Sequence, residues 1–390
     1  MISIRSSISV PWSKRFRSRH RWKRGFTRSC LILGIRDISA GTGGKDEVTM
    51  KMPHLHTISV SMLCFIIPMV ASCVEIRPAS PPIVSKRIQM HMGTLVTVTA
   101  VASDKNVGDR AVQAAFDEIK RLEQLLSTWR SDSELSQVNA QAGHRPVQVS
   151  PDTFQLVLKA LDIAALTHGG FNIALGPAVE AWSVTEEQRI PGDKELQQLK
   201  LLVDWTSIQF DRERRTIYLP LKGMRIDVGG IGKGYAADRA VEEMKRVGAR
   251  GGVVALSGDI KTFGSLPDGA GFSVGIRHPR EEGTLIAVID LKDEAISTAG
   301  DYERFFERDG VRYHHILDPH TLQPARACQS VTVIAKEGVM ADGLDTGIFV
   351  LGPERGMALV EHLPDVEAII IDGEGRVTVS SGLQDRLRAP

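Results

Sequence analysis

The stretch Arg225–Ala240, RIDVGGIGKGYAADRA, constrains the fold of this chain more than any other. Glycine occupies positions 229, 230, 232 and 234, between an extended-looking run and the helical pattern of Ala236–Val247. Such a turn gathers bare N–H groups, a lysine and a helix N-terminus, a combination that favours an anion. Two phosphate-binding templates do not fit it. A P-loop fails because Asp227 stands where its first glycine belongs and Gly234 where its hydroxyl belongs. A dinucleotide fingerprint can be laid only on Gly232, Gly234 and Ala237, and it requires a βαβ unit early in a parallel sheet. The plain alternative is a strand-to-helix turn whose glycines serve only tight geometry.

The N-terminus bears on the compartment. Residues 1–49 carry eleven basic and three acidic side chains and no folded pattern, and read as an upstream extension. Residues 50–72 read as a lipoprotein signal peptide: Lys51, an apolar run from Ile58 to Val70, then Val70-Ala71-Ser72 before Cys73. The run is short for a membrane span, and small residues before a cysteine resemble a bacterial lipobox. Cys73 is then expected to be lipidated, with an uncleaved anchor as the alternative. Either places the body in the bacterial cell envelope, on the periplasmic side. Residues 73–85, with three prolines, read as a tether, and 86–385 as one domain. From Cys73 onward there are 36 Lys/Arg and 44 Asp/Glu, a net charge near −8, which argues against nucleic acid as a partner. Cys328 is left alone after processing, so no intrachain disulfide is expected.

Along the mature chain, strands are expected over Lys86–Ser103, Ile208–Leu219, Gly252–Phe263, Phe272–Arg277, Thr284–Thr298 and Ser330–Ile334, with a terminal hairpin over Val366–Ser380. Helices are expected over Asn106–Thr128, Pro151–His168, Asp193–Val203, Ala236–Val247 and Ala341–His362. Hairpins interspersed with helices predict an α+β fold, mixed sheets with packed helices, rather than a doubly wound sheet.

Several motifs carry chemistry. Adjacent His314 and His315 on an extended segment point to opposite faces, so one is expected to be structural and the other functional. Asp342 and Asp345 are three apart on one helical face, beside Thr346. Two carboxylates and a hydroxyl are hard oxygen ligands suited to Mg²⁺, although acidic residues at a helix start can also serve as caps.

In order, the motifs MGT, LSTWRSDSELS, FNIALGP, DVGGIGKGYAADR, LSGDI, GDYERFF, RYHHILDP, SVTVIA and ADGLDTGIFVLG resemble the ApbE family of FAD:protein FMN transferases, and they cover residues 86–380. Ser257, Gly232 and Trp129 depart from commoner residues without removing a charged group. The resemblance implies a T-fold-like architecture with FAD in a cleft. Met92, Trp129, Ala174, Leu175, Gly176, Asp227, Lys233, His315 and Ile316 would contact FAD. The Gly230 carbonyl, Asp342, Asp345 and Thr346 would hold Mg²⁺ against its pyrophosphate, and the glycine turn would lend N–H groups to the same anion. His315 would be the base for a Thr or Ser hydroxyl of an acceptor protein, a subunit of a membrane redox complex, with AMP leaving. Water as nucleophile would make the protein an FAD pyrophosphatase instead, and loss of chemistry would leave a flavin-binding lipoprotein.

Overall fold

The computed structural model describes residues 82–390. The expected extension, the signal peptide, Cys73 and the tether as far as residue 81 lie outside the described residues. A hairpin comes first, β1 (Ile83–His91) and β2 (Thr94–Ala102). The last three residues assigned to the tether therefore belong to the sheet. The turn is Met92-Gly93, with φ of 48° and 69°, the two-residue geometry whose twist suits antiparallel strands.

Helices α1 (Lys105–Leu126), α2 (Glu134–Ala140) and α3 (Pro151–Leu166) follow, with the two-residue strand β3 (Val147–Gln148) before α3. Their starts are written in the sequence: the Asp104, Ser133 and Ser150 side chains each accept a first-turn N–H, and Pro151 takes the first helical position. Next come α4 (Gly176–Trp182), α5 (Asp193–Leu199), β4 (Gln209–Asp211), β5 (Thr216–Tyr218) and α6 (Gly232–Val247). The strands β6 (Gly251–Leu256), β7 (Asp259–Phe263), β8 (Phe272–Arg277), β9 (Leu285–Leu291), β10 (Ala295–Gly300), β11 (Phe305–Arg308), β12 (Val311–His314) and β13 (Cys328–Ala335) then run almost without helix. The chain closes with α7 (Gly338–Leu351), α8 (Pro353–Val360), β14 (Val366–Asp372) and β15 (Val377–Val379).

One eight-stranded antiparallel sheet organises the domain, in the order β1-β2-β6-β7-β10-β13-β14-β15. Alternate residues of each strand face opposite layers. Val254 and Leu256 of β6 join the larger core, with α1, α3, α6 and α7, whereas Val253 and Ala255 face the β8–β9 hairpin. Burial on both faces explains why β6 reads as the unbroken run GGVVAL. A third cluster, around Trp182, Phe306 and Leu322, packs the β11–β12 hairpin against α4. The α+β expectation holds.

Several boundaries differ from the pattern reading by a few residues, and two of the differences fall on the helices that build the site. The helix expected over Ala341–His362 is two helices, broken at Gly352, whose φ of 83° and ψ of 173° suit glycine, with Pro353 starting α8. Helix α6 starts four residues earlier than expected, inside the glycine turn.

That early start brings α6 against α7. A Cβ on Gly234 would lie 2.2 Å from the Gly338 carbonyl oxygen, and one on Gly338 would lie 2.7 Å from the Gly234 oxygen. The helices also cap each other. Asp238 of α6 accepts from the N–H groups of Gly338 (2.7 Å) and Val339 (2.9 Å), while Asp342 of α7 accepts from the Gly234 N–H (2.8 Å). Gly234→Ala should therefore cost at least ~1–3 kcal/mol, as overpacking against backbone does. Urea denaturation reads this directly, and an unchanged midpoint would show that the crossing has slack.

Candidate active site

Three carboxylates converge beside the α6–α7 crossing. Asp342 and Asp345 come from successive turns of α7, and Asp259 opens β7. One carboxylate oxygen from each lies within 4.8 Å of the others, and all three residues are at most 3% exposed. Helix α7 begins at Gly338, so neither aspartate of α7 caps its own helix. Ser297 of β10 reaches both Asp259 and Asp345, 2.6 Å from Asp345 Oδ2. A hydroxyl has one proton, so it satisfies only one of these carboxylates at a time. Lys233 pairs with Asp259.

Burial and mutual repulsion push the Asp342 and Asp345 carboxyls up, with Asp259 contributing to both. Desolvation opposes the charge on Lys233, but the Asp259, Asp342 and Asp345 carboxylates outweigh it and hold the ammonium above its usual range. Ionised together, the three carboxylates outnumber the one lysine, and their raised carboxyls keep protons unless another cation answers the charge. The donor set of hard, crowded oxygens fits a divalent cation.

Of the sequence-predicted residues, the structure ties Thr346, Gly230 and Lys233 directly to this cluster. Thr346 donates to Asp345 Oδ1 (3.1 Å), and its Oγ1 lies 3.1 Å from where a Gly230 Cβ would stand, so the turn backbone closes on the hydroxyl. The turn itself is gripped from below: buried Asn139 donates to the Ile226 carbonyl (2.9 Å) and accepts from its N–H (2.7 Å). Ala174, Leu175 and Gly176 run alongside. The Asp227 N–H donates to the Ile173 carbonyl (2.8 Å), and a Gly176 Cβ would strike Arg225 at 2.7 Å. Asn172 accepts from the Ala174 N–H and donates to Val203. Asp227 accepts from Gly229 N–H, and burial raises its carboxyl despite the Arg304 and Arg225 charges. Met92 donates its N–H to Glu123 of α1 (2.7 Å), and Trp129, just beyond α1, holds its ring 82% exposed. These two join the cluster through no hydrogen bond.

One expectation is refined. The glycine turn does not keep all its N–H groups for an anion, because that of Gly234 goes to Asp342 and that of Lys233 faces the same carboxylate.

The histidines divide as their alternation predicts. His314 is buried, its Nε2 donating to the Ala325 carbonyl (2.7 Å) and its Nδ1 accepting from the N–H of buried Ile316. Burial pushes it down to about 4. His315 faces outward, and its Nδ1 lies 3.2 Å from the Arg304 carbonyl. That contact fixes the proton on Nδ1 and leaves Nε2 with a free lone pair. Crowding by protein atoms and the Arg304 charge push its imidazole down, to about 3. Solvent at the exposed ring moderates the shift, and the ring is neutral at pH 7 either way.

Two participants were not singled out from sequence, Asp259 and Ser297. Asp259 lay within a recognised motif, LSGDI, with no role attached, and a lone serine carries no signal. Asp301, in the GDYERFF motif, forms a bidentate pair with Arg280 (2.7 and 2.6 Å).

Fold and site together define an α+β protein whose buried three-carboxylate cluster, beside a glycine turn and a lysine, offers a donor set that a divalent cation fits. The ApbE family model matches residues 92–370, and the chain belongs to this family. A protein of Treponema pallidum (strain Nichols) named FAD:protein FMN transferase is 35% identical over 320 residues, covering 77% of this chain and 88% of that protein. A Vibrio cholerae protein of the same name is 32% identical over 276 residues, 69% of this chain and 82% of its own length. The crystal structure of the ApbE protein from Thermotoga maritima superposes with a TM-score of 0.74 at 31% identity, covering 78% of this chain and all of that one.

His314 makes stability depend on pH. Its folded pKa, about 4, lies below the ordinary 6.5, so between these values the unfolded chain binds a proton that the folded chain refuses. Stability falls as pH drops through that window, by up to ~3 kcal/mol. Tm measured from pH 7 to pH 4 should drop less steeply in His314→Gln than in the parent. Parallel curves would mean that His314 protonates without loss of structure.

Proposed function

We infer that this protein transfers FMN from FAD to a Ser or Thr hydroxyl of an acceptor protein and releases AMP, in a Mg²⁺-dependent reaction. The observation that carries the reading is the buried Asp259–Asp342–Asp345 cluster, answered by one lysine and set against the glycine turn. The relatives' shared name supports it.

Mg²⁺ held by Asp342, Asp345, Thr346 and the Gly230 carbonyl would supply positive charge to the pyrophosphate. Lys233 adds a fixed cation at the same place. Ser297 holds Asp259 and Asp345 in place from the sheet side. Trp129 offers an exposed aromatic face to a flat ring. His315 Nε2 takes the proton as the acceptor oxygen bonds to the FMN phosphorus; the bridging P–O bond breaks, and the proton ends on AMP. The acceptor fits a subunit of a membrane redox complex, and a lipid on Cys73 would hold enzyme and acceptor to one periplasm-facing surface.

Asp345→Ala is expected to fold normally and to lose nearly all covalent flavin on an acceptor, read as fluorescence in a denaturing gel across a Mg²⁺ titration. EDTA should silence the parent reversibly. A parent unaffected by EDTA, or a variant matching it at every Mg²⁺ concentration, would sink the metal role. Free FMN instead of protein-bound flavin would make water the nucleophile, and intact FAD would leave only binding.

His315→Ala should slow transfer ~10²–10⁴-fold while still binding FAD, the usual contribution of a general base. Because its imidazole is neutral well below pH 6.5, the parent's acid limb should lie below that value. A limb centred at 6.5 and lost in His315→Ala would contradict the depressed pKa.

A further inference from the structure

The β1–β2 hairpin presents two unlike faces. Odd-numbered residues of β1 turn to α1: Ser85 donates to Asp109 (2.8 Å) and Arg87 to Gln113 (2.6 Å). Even-numbered residues turn away, with Met90 paired to Leu95, Ile88 to Thr97 and Val84 to Val101. The β8–β9 layer covers Val101 but leaves the turn end of this face bare. Met90 is 65% exposed, Ile88 53%, Leu95 49% and Val84 39%. β1 is also the outer strand of the large sheet. A nine-residue edge strand with apolar side chains outward invites association unless something covers it.

Charge and chain length indicate what covers it. No Asp or Glu occurs from Ile76 to Ser103, where Arg77, Lys86 and Arg87 are the charged residues, although the body as a whole is acidic. Lys86 stands on the bare face, between Val84 and Ile88. Apolar side chains beside a basic one suit the boundary of an anionic bilayer. Cys73 lies ten residues before Ile83, a reach of at most about 35 Å for extended chain. A hairpin tethered that closely meets the membrane at high effective concentration, so a contact too weak to bind alone suffices.

We propose that the outward face of the β1–β2 hairpin, through Ile88, Met90, Leu95 and Lys86, rests on the surface of an anionic lipid bilayer. The inference builds on the lipid anchor at Cys73. Its consequence is orientation. On the proposed reading Met92, at the hairpin turn, would contact the flavin nucleotide, so docking would turn that contact toward the surface where a membrane-bound acceptor stands.

The test uses the full chain, produced with its lipid and reconstituted into phosphatidylglycerol–phosphatidylethanolamine vesicles. Ile88→Cys and Met90→Cys carry an environment-sensitive fluorophore, with Glu186→Cys as an exposed control. Cys328 is buried; in the lipidated chain processing removes Cys30 and Cys64 and the lipid blocks Cys73, and in an unlipidated chain these three are replaced by serine, so the sites are selectively labelled. Spin-labelled lipid should quench positions 88 and 90 several-fold more than 186, and high salt should weaken the difference. Equal quenching at all three positions overturns the proposal. So does a shift that follows protein concentration without lipid, which would seat a second copy on the face. Mass spectrometry of Cys73 decides the anchor separately. If no diacylglyceryl is found, the same vesicles are added to the soluble chain, and the same comparison of 88 and 90 with 186 decides the face.

Discussion

Two glycines, Gly234 and Gly338, let the first turns of α6 and α7 meet backbone to backbone, and the geometry of the site follows from that contact. No side chain fits between them. At this separation each helix can cap the other, Asp238 holding the start of α7 and Asp342 the start of α6. Asp342 thereby acquires a fixed position and an amide partner. The partial positive charge of a helix N-terminus favours a carboxylate there, which offsets part of the desolvation that pushes the Asp342 carboxyl up. Asp345, one turn further along α7, has no such amide and leans on Ser297 and Thr346 instead.

The same contact explains why the glycine turn fits neither phosphate-loop template. Those loops turn their N–H groups to the ligand. Here the Gly234 amide serves a carboxylate, so on the proposed reading the turn would meet a pyrophosphate chiefly through a cation and Lys233. Two contacts hold the turn rigid in that role. Asn139 clamps Ile226 at both its polar atoms, and Asp227 is tied to Ile173.

Much of this was legible because it is local. The helix caps, the alternation of β1 and β2, the opposite faces of His314 and His315, and the shared face of Asp342 and Asp345 all follow from backbone period and side-chain type. The nine motifs in order named the family from the same local information. What stayed hidden depends on sheet order. Asp259 reaches Asp345 only because β7 pairs with β10 at Ala295 and Ile296, which sets Ser297 beside it. No spacing between residues 259, 297 and 345 announces that pairing. The break at Gly352 was hidden for another reason, since apolar residues continue at helical spacing through it and the glycine–proline step was outweighed by the pattern.

The charge balance in the cleft also bears on the ligands it can take. Burial and repulsion raise the Asp342 and Asp345 carboxyls, so without a cation they favour keeping their protons, and ionising them leaves more negative charge than Lys233 offsets. A pyrophosphate is itself anionic, so alone it would be repelled. On the proposed reading a divalent cation held by Asp342, Asp345, Thr346 and the Gly230 carbonyl would balance the carboxylates and supply positive charge to the phosphates. The His315 imidazole, outside the cluster and neutral, leaves that balance untouched. On the proposed reading it would take a proton from an acceptor hydroxyl without adding charge beforehand, becoming imidazolium as the departing phosphate gains negative charge.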